Sequence, residues 1–155
     1  MSQDNPGGRG RIVVGVDGSG PSVEALQWAI RQAELTDATI DATIAWHYPL
    51  LVGGYAWPPF GMLEETDFEG MAGKVLNESI SKAIGDGDRP RITEVVREGD
   101  AAQVLIDQAD GADLLVMGSR GHGGFTEALL GSVSQHCVHH SRCPVVIIRG
   151  AKPAS

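Results

Sequence analysis

Gly118-Ser119-Arg120-Gly121, followed nine residues later by Gly131-Ser132-Val133-Ser134, is the part of this chain best suited to holding an anion. The apolar run Asp113-Leu114-Leu115-Val116-Met117 precedes it and reads as a buried strand. Leu129, Leu130, Val133 and Cys137 recur after it at helical spacing. Glycine at a strand's exit lets the main chain turn sharply and approach a ligand, because it carries no Cβ. Ser132 and Ser134 open the following helix, where unpaired N–H groups and the helix dipole attract negative charge. Together these features make a phosphate site. The same residues could also form an ordinary tight βα turn. Arg120 and His122 lie inside the loop; either could pair with a phosphate or face solvent.

Other phosphate loops are excluded by the pattern. A P-loop needs Gly-x4-Gly-Lys-Ser/Thr, which occurs nowhere here. A dinucleotide fingerprint needs Gly-x-Gly-x-x-Gly, but Val23 stands in the third place after Gly18 and Gly20, and Thr126 after Gly121 and Gly123. His136, Cys137, His139, His140 and Cys143 invite a metal reading. Their spacing is poor for zinc, and helix geometry puts His136 and His140 on one face with His139 elsewhere. The reactivity of the two cysteines is left open.

The elements that must hold the glycine segment alternate along the chain. Ile12–Val16, Thr39–Trp46, Ile92–Val96, Leu114–Met117 and Val145–Ile148 read as strands. Pro21 suits a first helical turn, and Leu26, Ala29, Ile30 and Ala33 form one apolar face. Ala72, Leu76, Ile80 and Ala83 mark a second helix, ended by Gly85-Asp86-Gly87. Asp100 is a good N-cap for a third, which carries Val104, Leu105 and Ala109. Alternation of this kind predicts an α/β fold: a parallel sheet with helices on both faces and all strand C-termini on one edge. His47–Thr66 interrupts it with a long stretch rich in aromatic residues and proline. Loops beyond ~12–15 residues are often functional, as a cover for a ligand or a contact with a partner, though this one could equally be an anchored surface loop.

The chain has 155 residues and a net charge of −8. One domain over residues 11–150 is expected, between a loose tail at 1–10 and another at 151–155. A chain of this size buries roughly 68–70% of its unfolded surface and needs no staples. Acidity argues against nucleic acid as a partner. No apolar run spans a membrane and no secretory signal opens the sequence, so a cytoplasmic location is expected.

The glycine spacing, Gly-x2-Gly-x9-Gly-Ser, resembles the nucleotide-binding signature of the ATP-binding branch of the universal stress protein family. The resemblance runs from about Arg11 to Arg149. It includes Ile12-Val13-Val14-Gly15-Val16-Asp17-Gly18-Ser19 at the start and Cys143-Pro144-Val145-Val146-Ile147-Ile148 at the end. It implies a three-layer αβα sandwich of the adenine nucleotide alpha-hydrolase-like, Rossmann-like type, with strand order 3-2-1-4-5. It also implies ATP and Mg²⁺ as ligands. The matching nucleotide-binding positions are Asp17, Gly18, Ser19, Ala45, Met117, Gly118, Arg120, Gly121, Gly131, Ser132, Val133 and Ser134. A carboxylate at Asp17 can accept from ribose hydroxyls or hold hydrated Mg²⁺, or it can simply bond the N–H groups of its own turn. At Ala45 the family's contact to adenine is made by backbone.

The functions this leaves are a nucleotide-binding regulatory protein with little turnover, a slow ATP hydrolase, a binder of AMP or a cyclic nucleotide, and an interaction module without nucleotide. In the implied order Val145–Ile148 is an edge strand, and similar proteins form homodimers through it.

Overall fold

The structure is a computed structural model that describes residues 9–48, 66–87, 90–119 and 130–149. Five strands and four helices alternate within these limits. They are β1 (Arg11–Gly15), α1 (Gly20–Thr36), β2 (Thr39–Trp46), α2 (Phe68–Ile84), β3 (Ile92–Glu98), α3 (Ala101–Gln108), β4 (Leu114–Gly118), α4 (Ser132–His140) and β5 (Val145–Ile148). All pairings are parallel, in the order β3-β2-β1-β4-β5. The expected sheet, its order and its reversal between β1 and β4 are therefore observed. The aromatic stretch 49–65 lies outside the described residues, as do both tails except Arg9 and Gly10.

Strand periodicity divides the core in two. Ile12, Val14 and Val16 face one way with Ile40, Ala42 and Ile44, against Leu26, Ala29, Leu76 and Ile80 of α1 and α2. Val13, Leu115 and Met117 face the other way, against Ala102, Leu105 and Ala109 of α3 and Cys137 of α4. A central strand buried on both faces reads as a continuous apolar run, which is why β1 carries no polar alternation.

Side chains set most helix limits. Ser19 caps α1 by accepting from the Ser22 N–H, with Pro21 in its first turn. Asp67 and Asp100 cap α2 and α3 by accepting from Gly70 and Gln103. Asp100 is the cap expected from sequence. Leu130 departs from expectation: it precedes α4 instead of lying on its apolar face, and it is exposed.

One polar cluster ties the amino edge of the sheet. Arg11 Nη1 donates to Asp41 Oδ2 on β2 (2.9 Å) and to the Gln108 carbonyl (2.9 Å), and Nη2 donates to the Asp110 carbonyl (2.9 Å). Gln108 Nε2 also donates to Asp41 Oδ2 (3.2 Å), and the Arg11 N–H donates to Asp113 Oδ2 (2.7 Å). One guanidinium thus serves β1, β2 and the carbonyls at the end of α3, which lack partners within their helix.

Candidate functional site at the carboxyl edge of the sheet

The register places the two informative loops side by side. Gly15 pairs with Thr43 and Val14 with Val116, so continuing both ladders sets Asp17 level with Ala45 on one side and Ser119 on the other. The end of β4 and the first turn of α1 meet closely. A Cβ on Gly118 would lie 2.8 Å from Pro21 Cβ and 3.0 Å from the Pro21 carbonyl carbon. Real Cβ contacts do not approach so closely, so glycine at 118 lets the end of β4 abut the first turn of α1. That glycine therefore has a packing role in addition to any ligand contact.

Asp17 is exposed, Gly18 turns through φ 85°, and Ser19 is buried. Asp17 Oδ1 accepts from the Ser19 N–H (2.9 Å) and from its hydroxyl. This is the local turn-bonding that the sequence left open for the aspartate. Ser22, which sequence reasoning missed, completes the turn. Its buried hydroxyl donates to the Ser19 carbonyl (2.9 Å) and accepts from the Asp17 N–H (3.4 Å). The Ser-x-x-Ser spacing just ahead of an apolar helix was the available signal.

On the β4 side, Ser119 joins three elements. Its N–H donates to the Ile148 carbonyl of β5 (2.9 Å), and its carbonyl accepts from the Gly131 N–H (2.7 Å) and the Ser134 hydroxyl (2.8 Å). Gly131 thus stands as the N-cap of α4 with its N–H already used, in ordinary extended backbone at φ −65°. Among the described residues no side chain caps this helix, whereas α1, α2 and α3 each have a side-chain cap. Ser132 is exposed, Val133 is half-buried against the second core cluster, and Ser134 is buried. Ser134 therefore contributes its hydroxyl to the loop. Ser132 is the exposed residue of this turn, whose first N–H groups have no partner within their own helix.

Met117 points into the core, so any ligand contact there belongs to its main chain. Ala45 is half-buried on β2 beside Trp46. Trp46, Tyr48 and Phe68 form an edge-to-face aromatic series with centroids 5.4 and 5.5 Å apart, joining β2 to α2 at the same edge. Sequence reasoning saw the aromatic richness here but not this contact. Arg120, Gly121 and His122 lie outside the described residues.

The histidine and cysteine set does not converge. Among the described residues no group of three His, Cys, Asp or Glu side chains could hold a metal ion. Both cysteines are free thiols. Burial pushes the Cys137 thiol up to about 11 from its ordinary 9.0, helped by the Asp100 carboxylate and by Cys143. Between pH 9 and 11 the unfolded chain releases this proton while the folded chain keeps it, so the folded state binds more protons and stability falls as pH rises. The contribution of the neutral thiol is intact below pH 9. Urea titrations across this window should show a steeper loss for the native protein than for Cys137→Ala. At pH 7 a thiol reagent should modify Cys143 in the native protein and both cysteines only after denaturation.

Comparison with known proteins accords with this geometry. The sequence profile described as "Universal stress protein family" matches residues 8–149. A universal stress protein of Mycolicibacterium smegmatis is 32% identical over 148 residues, which cover 93% of this chain and 49% of that one. One of Methanocaldococcus jannaschii is 31% identical over 144 residues, covering 92% and 83%. Among solved structures, UspA from Lactobacillus plantarum superposes with a TM-score of 0.72 at 20% identity, over 90% of this chain and 97% of that one. A universal stress protein in complex with cAMP gives 0.58 at 24% identity, over 92% and 98%. An Arabidopsis thaliana family protein with AMP bound gives 0.53 at 20%, over 92% of each. These likenesses establish the fold. The chain spans about half the length of the mycobacterial relatives it matches.

Proposed function

The chain belongs to the universal stress protein family, and from that premise we propose that it is a regulatory protein that binds an adenine nucleotide, ATP with Mg²⁺, and turns it over slowly or not at all. The observation that carries the proposal is the first turn of α4, which no side chain of the described residues caps, tied by the Gly131 N–H to Ser119, where β4 runs level with Asp17. Ligands of open α/β sheets bind at the crevice where the strand order reverses, and an N-terminus lacking a side-chain cap supplies phosphate donors. The donor set fits the group. The N–H groups of Ser132, Val133 and Ser134 and the Ser132 hydroxyl would hold phosphate, and the Asp17 carboxylate would meet the ribose or a hydrated cation. The main chain at Ala45 would meet the base. Mg²⁺, when bound, neutralises phosphate charge and offsets the acidity of the chain. A cytoplasmic location is part of the same proposal; among the described residues no helix is long and apolar enough to cross a membrane.

Slow chemistry follows from what the loops contain. Neither Asp17–Ser22 nor Gly118–Gly131 includes a lysine, and fast phosphoryl transfer requires charge stabilisation at the transferred group. Denaturing the purified protein and weighing the released nucleotide tests the ligand directly. ATP supports the proposal, while AMP or a cyclic nucleotide would replace it with a single-phosphate ligand. With ATP added at stoichiometric protein, cleavage should take many minutes. A turnover of one per second or faster, lost in Asp17→Ala, would make the protein an enzyme.

We also propose self-association through β5. This strand closes one end of the sheet, and Val145, Val146, Ile147 and Ile148 are all only half-buried. The opposite edge, β3, instead exposes Thr93, Glu94, Arg97 and Glu98. Apolar edges invite pairing and charged ones resist it. The 16.3 kDa chain should sediment at about twice that mass at micromolar concentration, and Val146→Lys or Ile148→Lys should shift it toward monomer. A dimer indifferent to both changes would place the contact elsewhere.

A further inference from the structure

His136 and His140 stand one turn apart on the exposed side of α4, with ring centroids 4.4 Å apart and planes tilted by 39°. No proton donor or acceptor is shown for either ring among the described residues, and neither ring contributes to the core. Two imidazoles at i and i+4 on one helix face project in the same direction, which is the spacing at which helical histidines share a metal ion. His140 also lies in the last turn of α4, where the negative end of the helix dipole favours a cation, on a chain of net charge −8. We propose that His136 and His140 form an exchangeable surface site for a borderline divalent transition metal, with water completing the coordination. Imidazole nitrogen selects Cu²⁺, Ni²⁺ and Zn²⁺, with Cu²⁺ tightest, over Mg²⁺ and Ca²⁺, which prefer oxygen. The site begins one turn beyond Ser132 of the proposed nucleotide site and uses none of its residues. With two protein ligands it is not a structural centre, in keeping with the poor zinc spacing of the sequence.

The test is titration of metal-free protein with Ni²⁺, followed by calorimetry and by thermal unfolding with and without EDTA. One ion per chain should bind, and the midpoint should rise by about 5 °C near saturation and fall back with EDTA. Mg²⁺ should produce neither effect. His136→Ala and His140→Ala sit on an exposed face and should fold as the native chain does, yet each should weaken Ni²⁺ binding at least tenfold. His139→Ala, as a control on the neighbouring position, should leave binding unchanged. Absence of Ni²⁺ binding would overturn the proposal. So would binding that survives in the double variant, loss of binding in His139→Ala alone, or a stoichiometry of one ion per two chains.

Discussion

Nucleotide-free protein should gain about 2.7 kcal/mol of stability from ATP-Mg²⁺ at one hundred times its dissociation constant, and Ser132→Asp should erase that gain without harming the fold. For a chain of this length the gain corresponds to a midpoint shift of about 5–10 °C. The variant works because the two demands on the first turn of α4 are opposed. A carboxylate at the start of a helix favours folding by about 0.3–1 kcal/mol through the dipole and the free N–H groups. The same carboxylate occupies those donors and repels a phosphate. Ser132→Asp should therefore melt at or above the native temperature while showing no response to ATP. Gly131→Val provides the steric counterpart. Gly131 has an ordinary φ of −65°, so the backbone tolerates a side chain there, but a branched Cβ crowds the approach to the turn. A melting curve of verified nucleotide-free protein that does not move with millimolar ATP-Mg²⁺ would count against the nucleotide site. An ATP response retained by both variants would move the site away from α4.

The second large effect lies at the opposite edge of the sheet. Arg11→Ala should destabilise the protein by about 2–4 kcal/mol, below the full cost of breaking a deeply buried pair because the Arg11 and Asp41 side chains are 29% and 15% exposed. The loss has two parts. Asp41 is left with Gln108 as its side-chain partner among the described residues, and the Gln108 and Asp110 carbonyls at the end of α3 lose their donor. Arg11→Lys should recover part of it, since one ammonium cannot span β2 and two carbonyls as a guanidinium does. Urea unfolding of both variants measures this directly, and ATP affinity should stay close to native because the clamp is remote from the crevice. A cost below about 0.5 kcal/mol for Arg11→Ala would make the cluster a solvated surface pair.

The layered fold was legible because strand and helix periods carry it. Ile12–Val14 and Leu115–Val116 are apolar without interruption, as strands covered on both faces must be, and Leu26, Ala29 and Ala33 repeat at helical spacing. The Asp100 cap and the Gly85 stop were legible for the same reason, since each is a local rule between residues a few positions apart. The joins between distant segments could not be read in that way. Nothing in the sequence links Ser119 to Ile148, Gly118 to Pro21, or Arg11 to Gln108, because those contacts exist only once the crossovers have brought the segments together. The tie from the Ser134 hydroxyl to the Ser119 carbonyl is of the same kind, a contact between segments that residue type alone does not reveal.

The unlike edges of the sheet also limit how large an assembly can grow. Pairing of β5 with a second β5 across a two-fold axis consumes the apolar edge of both copies and leaves two outward-facing β3 strands. Those strands carry Glu94, Arg97 and Glu98 in the open, so a third copy meets charge where it would need a bare ladder. Under the proposed β5 pairing the sheet is thus one-ended with respect to growth: it doubles, and its described β3 edge resists a further copy.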